Sequence, residues 1–367
     1  MKWFNISLFT SVMIVIILGL SMIFNTTSAE AMTKSIGGDF LYQAVLKQVI
    51  YLLLGVLSGV GIGYLGYQEI LKHSGSLLIF FTILLLLVFI PPIGMQVNGA
   101  YRWLNILGIS FQPSEFVKYL IPLYFLTRIS HHPGDIGFYF FIKILLILAI
   151  PIGLILIEPD NGTVAIILMG LMGLFVLTGI RWRYWMLPLC LLMGVGGGIA
   201  SQMPHVHDRI RIYMNPELDL QGKGHQPHQA KIAAGSGGLW GKGLGESMQK
   251  LDYLPEARSD YIAAIFGEEF GFMGMMLLVI LYMLIGYFGF SIAASAKELT
   301  AFYTAAILTF LVCFQAFLNL GVVSGLLPSK GTNLPFFSQG GSSLLANLMV
   351  IWMILSTTYE QRHVQKS

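Results

Sequence analysis

Charge is what this sequence has least of. Only 39 of its 367 residues are Lys, Arg, Asp or Glu, 11% of the chain, against about 25% in a soluble domain. With 56% hydrophobic residues and a mean hydropathy of +0.75, the composition excludes an ordinary soluble protein and indicates an integral membrane protein. Cysteine is nearly absent. Cys190 and Cys313 both fall in apolar runs and read as small buried hydrophobes, so no disulfide framework is expected and the redox compartment is not legible. The formal net charge is only +3, and no basic or heptad segment supports a nucleic-acid partner. No internal repeat is evident, which weakens a reading as an inverted-repeat transporter.

Long apolar runs are plentiful. Runs of about 20 apolar residues mark spanning helices, and they fall near 4–24, 45–65, 75–93, 114–130, 138–157, 163–180, 184–203, 262–290, 299–320 and 340–358. The expected fold is therefore an all-α integral membrane bundle of about ten helices, a single polytopic domain over 1–367. The eighth run is long enough to include a helical approach from the loop before it. Lys2, the run from Phe4 to Phe24 and Ser28-Ala-Glu-Ala31 resemble a cleavable signal peptide. The run is longer than a usual signal core, so a retained first helix is expected. Lys and Arg in the short loops favour one side modestly, through Lys2, Lys72, Arg128, Arg181, Arg183, Lys297, Arg362 and Lys366. By the positive-inside rule both termini are cytoplasmic.

The polar residues concentrate in the loops of the opposite, outer side. The stretch 204–261 holds 14 of the 39 charged residues and four of the eight histidines, and reads as a large extracytoplasmic loop between helices 7 and 8. The inner loops are short and carry few unusual features. One polar site on the outer face, assembled from several loops and helix ends, is the parsimonious expectation.

Each polar cluster has a plainer reading beside the functional one. Glu115 and Lys118, three apart, share one helix face. Ionisable groups in a span are costly and so face a cavity or pair with each other. A structural ion pair is the alternative. With Arg102 upstream, the set suits a phosphate-bearing ligand, since Arg offers a bidentate fork and Lys a compact charge. Asp160, in Glu158-Pro-Asp-Asn-Gly162, is equally readable as an N-cap. The run Gly235–Gly245 has six glycines. It either brings backbone close to a bulky ligand or is simply a flexible loop, and it lacks the pattern of a phosphate loop. His205, His207, His225 and His228 match no strong metal-ligand spacing, and no metal site is expected. Asp208, Asp219, Asp252, Glu256 and Asp260 all qualify as general bases by composition. Asp260 is best placed, with Ser259 at the mouth of the eighth helix. The helix N-terminus would lower its pKa, whereas burial or an acid such as Glu268 or Glu269 would raise it.

In this order the clusters resemble the SEDS family (shape, elongation, division and sporulation) of bacterial peptidoglycan polymerases. The likeness runs from about Asn98 to Leu355. It is carried by Gly99-Ala-Tyr-Arg-Trp103, Gln112-Pro-Ser-Glu-Phe-Val-Lys118, Pro159-Asp-Asn-Gly-Thr163, the glycine run up to Gly245, Leu254-Pro-Glu-Ala-Arg-Ser-Asp260 with Glu268-Glu269, and Leu334-Pro-Phe-Phe-Ser-Gln-Gly-Gly-Ser-Ser343. Lys330, Ser343 and Gly243-Leu-Gly-Glu-Ser247 place it nearer the FtsW-like division members than the RodA-like elongation members. It departs from the family pattern at Asn215-Pro-Glu217, at Gly224-His-Gln226, and at Glu158, where Gln is common.

The resemblance implies a glycosyltransferase that polymerises lipid II, an undecaprenyl-pyrophosphate-linked substrate, outside the bacterial cytoplasmic membrane. It implies Asp260 as the catalytic aspartate and Arg102, Glu115 and Lys118 as cavity residues. Trp103, Asp160 and Lys330 join them as substrate-binding candidates. It implies no cofactor and leaves a divalent cation open. The implied partners are a class B penicillin-binding transpeptidase and other divisome proteins. A lipid II flippase is the alternative; it needs polar groups reachable from both faces, and the inner loops are sparse. A scaffold that only recruits a transpeptidase would leave the outer polar clusters unexplained.

Overall fold

The computed structural model describes residues 2–33, 38–91, 93–97, 99–106, 108–132, 134–190, 224–251, 254, 256–328 and 331–364. Helices dominate: α1 (Lys2–Thr33), α2 (Gly38–Leu65), α3 (Tyr67–Lys72), α4 (Ser74–Leu87), α5 (Ser114–Ser130), α6 (Phe138–Ile157) and α7 (Asn161–Leu177). They continue as α8 (182–190), then α9 (His225–Ser236), α10 (Ile262–Ala294), α11 (Leu299–Val323) and α12 (Gly341–Val364). Six of the described helices, α1, α2, α6, α10, α11 and α12, are long and apolar enough to cross a membrane. The chain is a multi-pass membrane protein. Helices occupy nine of the ten apolar runs. The seventh run starts on α8 and continues outside the described residues, as do 204–223 of the large loop.

The all-α expectation needs one correction. Between α4 and α5 the chain forms a three-stranded antiparallel sheet, β1 (Gly94–Val97), β2 (Ala100–Ile106) and β3 (Ile109–Phe111), in the order β1-β2-β3. Pairing of Val97 with Ala100 leaves a two-residue turn. The Asn98-Gly99 dipeptide is the strongest short hairpin signal there is, and Gly99 sits at φ 78°. Pairing then steps from Met95–Trp103 to Gln96–Tyr101. Arg102 is thus the extra residue of a β-bulge, a device that re-aims a side chain.

α1 is packed along its length rather than hanging from one end. Leu8, Val12, Val15, Ile16, Met22 and Ile23 are buried. Asn5 Nδ2 donates to Thr358 Oγ1 at 2.7 Å, and Glu30 pairs with Arg258 at 2.9 Å. The first contact puts the start of α1 beside the end of α12, and the second puts its far end beside the stretch that carries Asp260. Asn5 and Thr358 therefore lie at the end of the bundle opposite Asp260.

α10 is broken near its start. Gly271, at φ 65° and ψ −162°, divides a first segment, whose residues Ile262 to Glu269 are all buried, from the rest. A break frees backbone groups that must find other partners. The glycine-rich loop supplies them: Phe272 N donates to Gly238 O, Lys242 N to Glu268 O and Gly243 N to Glu269 O, at 2.9, 3.0 and 3.0 Å. A β-carbon on Gly241 would lie 2.1 Å from Glu269 O. Here the glycines let backbone meet the broken helix.

Candidate active site

One cavity of about 370 Å³ opens among the helix ends, and it gathers the polar clusters that lie far apart in sequence. Arg102, Trp103, Glu115, Lys118, Asp160 and Asp260 all line it. Of the residues singled out from the sequence, Lys330 lies outside the described residues, although its neighbour Gly331 is in the wall. Asp208, Asp219, Asp252, His205 and His207 also lie outside the described residues. Glu256 and Ser259 are in the wall beside Asp260.

Asp260 sits at the entrance to α10, one residue before the N-cap Tyr261. The turn that delivers it is tight. Glu256 adopts φ 56°, a left-handed conformation that a non-glycine residue seldom takes. Tyr261 N donates to Glu256 O at 3.2 Å. From α11, Asn319 Nδ2 donates both to Asp260 O at 2.8 Å and to Thr332 O at 2.6 Å, tying the aspartate to the irregular segment that carries Gly331. The side chain is half-buried. Burial pushes the Asp260 carboxyl up to about 7, helped by the negative charges of Glu256 and Asp160 and opposed by Arg102. The acids that raise it are therefore not Glu268 and Glu269, the pair named from the sequence. Those two are engaged beneath the glycine-rich loop. Glu268 accepts from Lys242 Nζ at 2.6 Å and from the backbone of Met248 and Gln249. Glu269 accepts from Lys250 Nζ at 2.8 Å and Asn25 Nδ2 at 2.6 Å.

Arg102 is held at the C-terminal end of α6. Its Nε donates to Glu158 O at 2.9 Å and an Nη donates to Pro159 O at 2.7 Å. Helix C-termini carry partial negative charge, so the guanidinium is anchored by dipoles while its charge stays available to the cavity. Lys118 is in a different position. It is fully buried, pairs with Glu115 at 2.5 Å, and donates to Gln315 Oε1 at 2.7 Å. The plainer reading of a structural pair is thus realised, and the pair lines the cavity as well. Asp160 also takes both roles: it caps α7 by accepting from Thr163 N at 3.1 Å and Thr163 Oγ1 at 2.8 Å. Burial raises its carboxyl, against Arg102 and the threonine hydrogen bonds.

Several wall residues escaped sequence reasoning. Lys47, Gln48 and Tyr51 come from α2, and Gln315 from α11. A signal existed for the last of these. Gln315 and Asn319 stand four apart in an otherwise apolar helix and share a face, where buried polar groups are costly unless they serve a site. Lys47 follows Leu46 inside an apolar run and was legible only as a topological charge. Among the described residues no three His, Cys, Asp or Glu are grouped to hold a metal.

Known proteins resemble the chain along nearly its whole length. The profile of the FtsW, RodA and SpoVE cell cycle proteins matches residues 5–363. A probable peptidoglycan glycosyltransferase FtsW of Coxiella burnetii is 36% identical over 354 residues, covering 94% of this chain and 93% of that protein. A second protein of the same name, from Methylomonas methanica, is 32% identical over 356 residues, covering 96% and 92%. The fold also matches a chain from a study of how a peptidoglycan synthase complex coordinates polymerization and crosslinking. That match has a TM-score of 0.77 at 23% identity and covers 96% of this chain and 97% of the other.

Proposed function

This chain belongs to the FtsW, RodA and SpoVE family of cell cycle proteins, and from that premise we propose how its cavity works. The protein is a peptidoglycan glycosyltransferase that polymerises lipid II into glycan strands during cell division. The observation that carries this reading is that Asp260 and Arg102 line the same cavity.

The acceptor sugar's 4-hydroxyl attacks the anomeric carbon of the donor. A new C–O bond forms, the bond from that carbon to the diphosphate breaks with its electron pair leaving on the diphosphate, and the configuration inverts. The transition state is oxocarbenium-like. Asp260 takes the hydroxyl proton. A carboxyl raised to about 7 is well matched to that task, since a base works best when its pKa lies near the working pH. The leaving diphosphate needs positive charge rather than a proton. Arg102 supplies it, with Lys47 at the cavity wall and Lys330 beside Gly331 as further cations. Lys118, with Glu115 and Gln315, shapes the floor; Trp103 and Asp160 complete the wall.

The finer topology follows the same reading. With ten spans, the cavity would open at the outer face of the bacterial cytoplasmic membrane, with both termini in the cytoplasm and 204–261 as the large extracytoplasmic loop. The prenyl tail stays in lipid while the headgroup enters the cavity. Cross-linking falls to a class B penicillin-binding transpeptidase, in keeping with the structural relative's place in a synthase complex. The test is polymerisation of lipid II by purified protein, wild type beside Asp260→Ala. Glycan strands from the first and none from the second are expected; equal polymerisation by both would remove the mechanism.

A further inference from the structure

We propose that Glu158 is a positioning residue that acts through Arg102: as a neutral acid it leaves the guanidinium charge available to an anionic substrate, and once ionised it cancels that charge. The inference rests on the reading of the cavity as a diphosphate site. Glu158 is 0% exposed, and neither of its carboxyl oxygens has a hydrogen-bond partner among the described residues. Its own backbone carbonyl accepts from Arg102 Nε. Arg102 lines the cavity and Glu158 does not, so the acid stands behind the cation.

A buried carboxylate with no donor is the least favourable state for this group. The charges around it do not rescue it. From β2 comes Arg102, which favours ionisation; from the start of α7 comes Asp160, which opposes it. Neither α4 nor α7 carries a charged side chain within its length. On α5 the nearer charges, Glu115 and Lys118, are closed on each other. Burial outweighs the rest and pushes the Glu158 carboxyl up to about 8. Below that point the guanidinium faces the acids of the cavity, Asp160 and Asp260, with no charge on Glu158 behind it. Above it the Glu158 carboxylate is added to them, and the local field turns against a diphosphate. By linkage, a bound diphosphate in turn holds the proton on Glu158.

Glu158→Gln keeps the size of the side chain and is neutral at every pH; Glu158→Met is a second neutral variant. Full-length protein in lipid nanodiscs is read in two ways. In pH-difference infrared spectra taken in an Asp260→Asn background, which removes the carboxyl that itself titrates at about 7, the parent shows a protonated carboxyl band that is lost between about pH 7 and pH 9 and disappears when Glu158 is also replaced. In lipid II polymerisation, the wild-type KM rises about tenfold over that interval while kcat changes little, and both variants stay flat. A band that survives replacement of Glu158 in that background overturns the proposal, as do parallel KM curves of wild type and the Glu158 variants. Wild type that forms no glycan at any pH counts against the functional reading alone, because the infrared titration still reports whether Glu158 holds the proton.

Discussion

Gly331 lies against the carboxylate of Asp260 so closely that a β-carbon at residue 331 would sit 2.9 Å from Asp260 Oδ2. The glycine is therefore part of what aims the aspartate. The obstacle to a methyl group is the end of a side chain rather than backbone, so Gly331→Ala is expected to turn the carboxylate and leave the fold intact. Misplacing a catalytic group by about 1 Å costs on the order of a hundredfold. A fall of roughly ten- to a hundredfold in kcat for lipid II polymerisation, with an unchanged melting temperature, is the expected result.

The elevated carboxyl of Asp260 predicts both a rate profile and a stability profile. The base must be ionised to accept a proton, so kcat falls as pH drops through about 7. The sign for stability is opposite. The folded carboxyl titrates at about 7 and the ordinary one at 3.8, so the folded state binds the proton more tightly. The associated stability is full below the ordinary value and is lost as pH rises through 7. Asp260→Asn should therefore be inactive yet melt a few degrees higher than wild type at pH 8, with the gap closing towards pH 4. Thermal melts across this range check it.

Lys118 and Glu115 form a buried pair, and removing one partner strands the other's charge. Lys118→Met is expected to destabilise the bundle by about 3–5 kcal/mol. The double variant Glu115→Leu, Lys118→Met should recover most of that loss, because no uncompensated charge remains. Recovered stability with polymerisation still impaired would separate the pair's packing role from its place in the cavity wall.

Glu268 accepts four hydrogen bonds from the loop, from Lys242, Ser247, Met248 and Gln249. Glu268→Ala removes this anchor and should free residues 242–250. Limited proteolysis in the native protein is expected to cut that segment at least tenfold faster, while Lys250, still paired with Glu269, retains the loop's base.

Much of this was legible from residues alone. The apolar runs located the helices because a span must be long and uncharged to leave water. Arg102, Glu115, Lys118 and Asp160 stood out because charge in such a chain is costly, and Asp260 because it stands at the mouth of the eighth run and matches the family's aspartate; all five line the cavity. The sheet at 94–111 was missed although Asn98-Gly99 is a hairpin signal, because its strands are only four, seven and three residues long and carry no clean alternation of apolar and polar residues. Lys47, Gln48 and Tyr51 were missed for a different reason. They line the cavity only because α2 packs beside α12, and pairing of distant helices leaves no local trace in sequence. The balance at Asp260 was likewise out of reach. It depends on which acids become neighbours: Glu256, four residues away, and Asp160, from the start of α7, act on it, while Glu268 and Glu269 are engaged beneath the glycine-rich loop.

The interruption of α10 at Gly271 has a practical corollary for anyone building hybrids of this protein. Because the carbonyls of Glu268 and Glu269 are met by the glycine-rich segment, residues 237–250 and 262–273 make up one transplantable unit. A chimaera that imports either half without its counterpart would leave mismatched main chain in the interior, whereas exchanging the two together should preserve assembly.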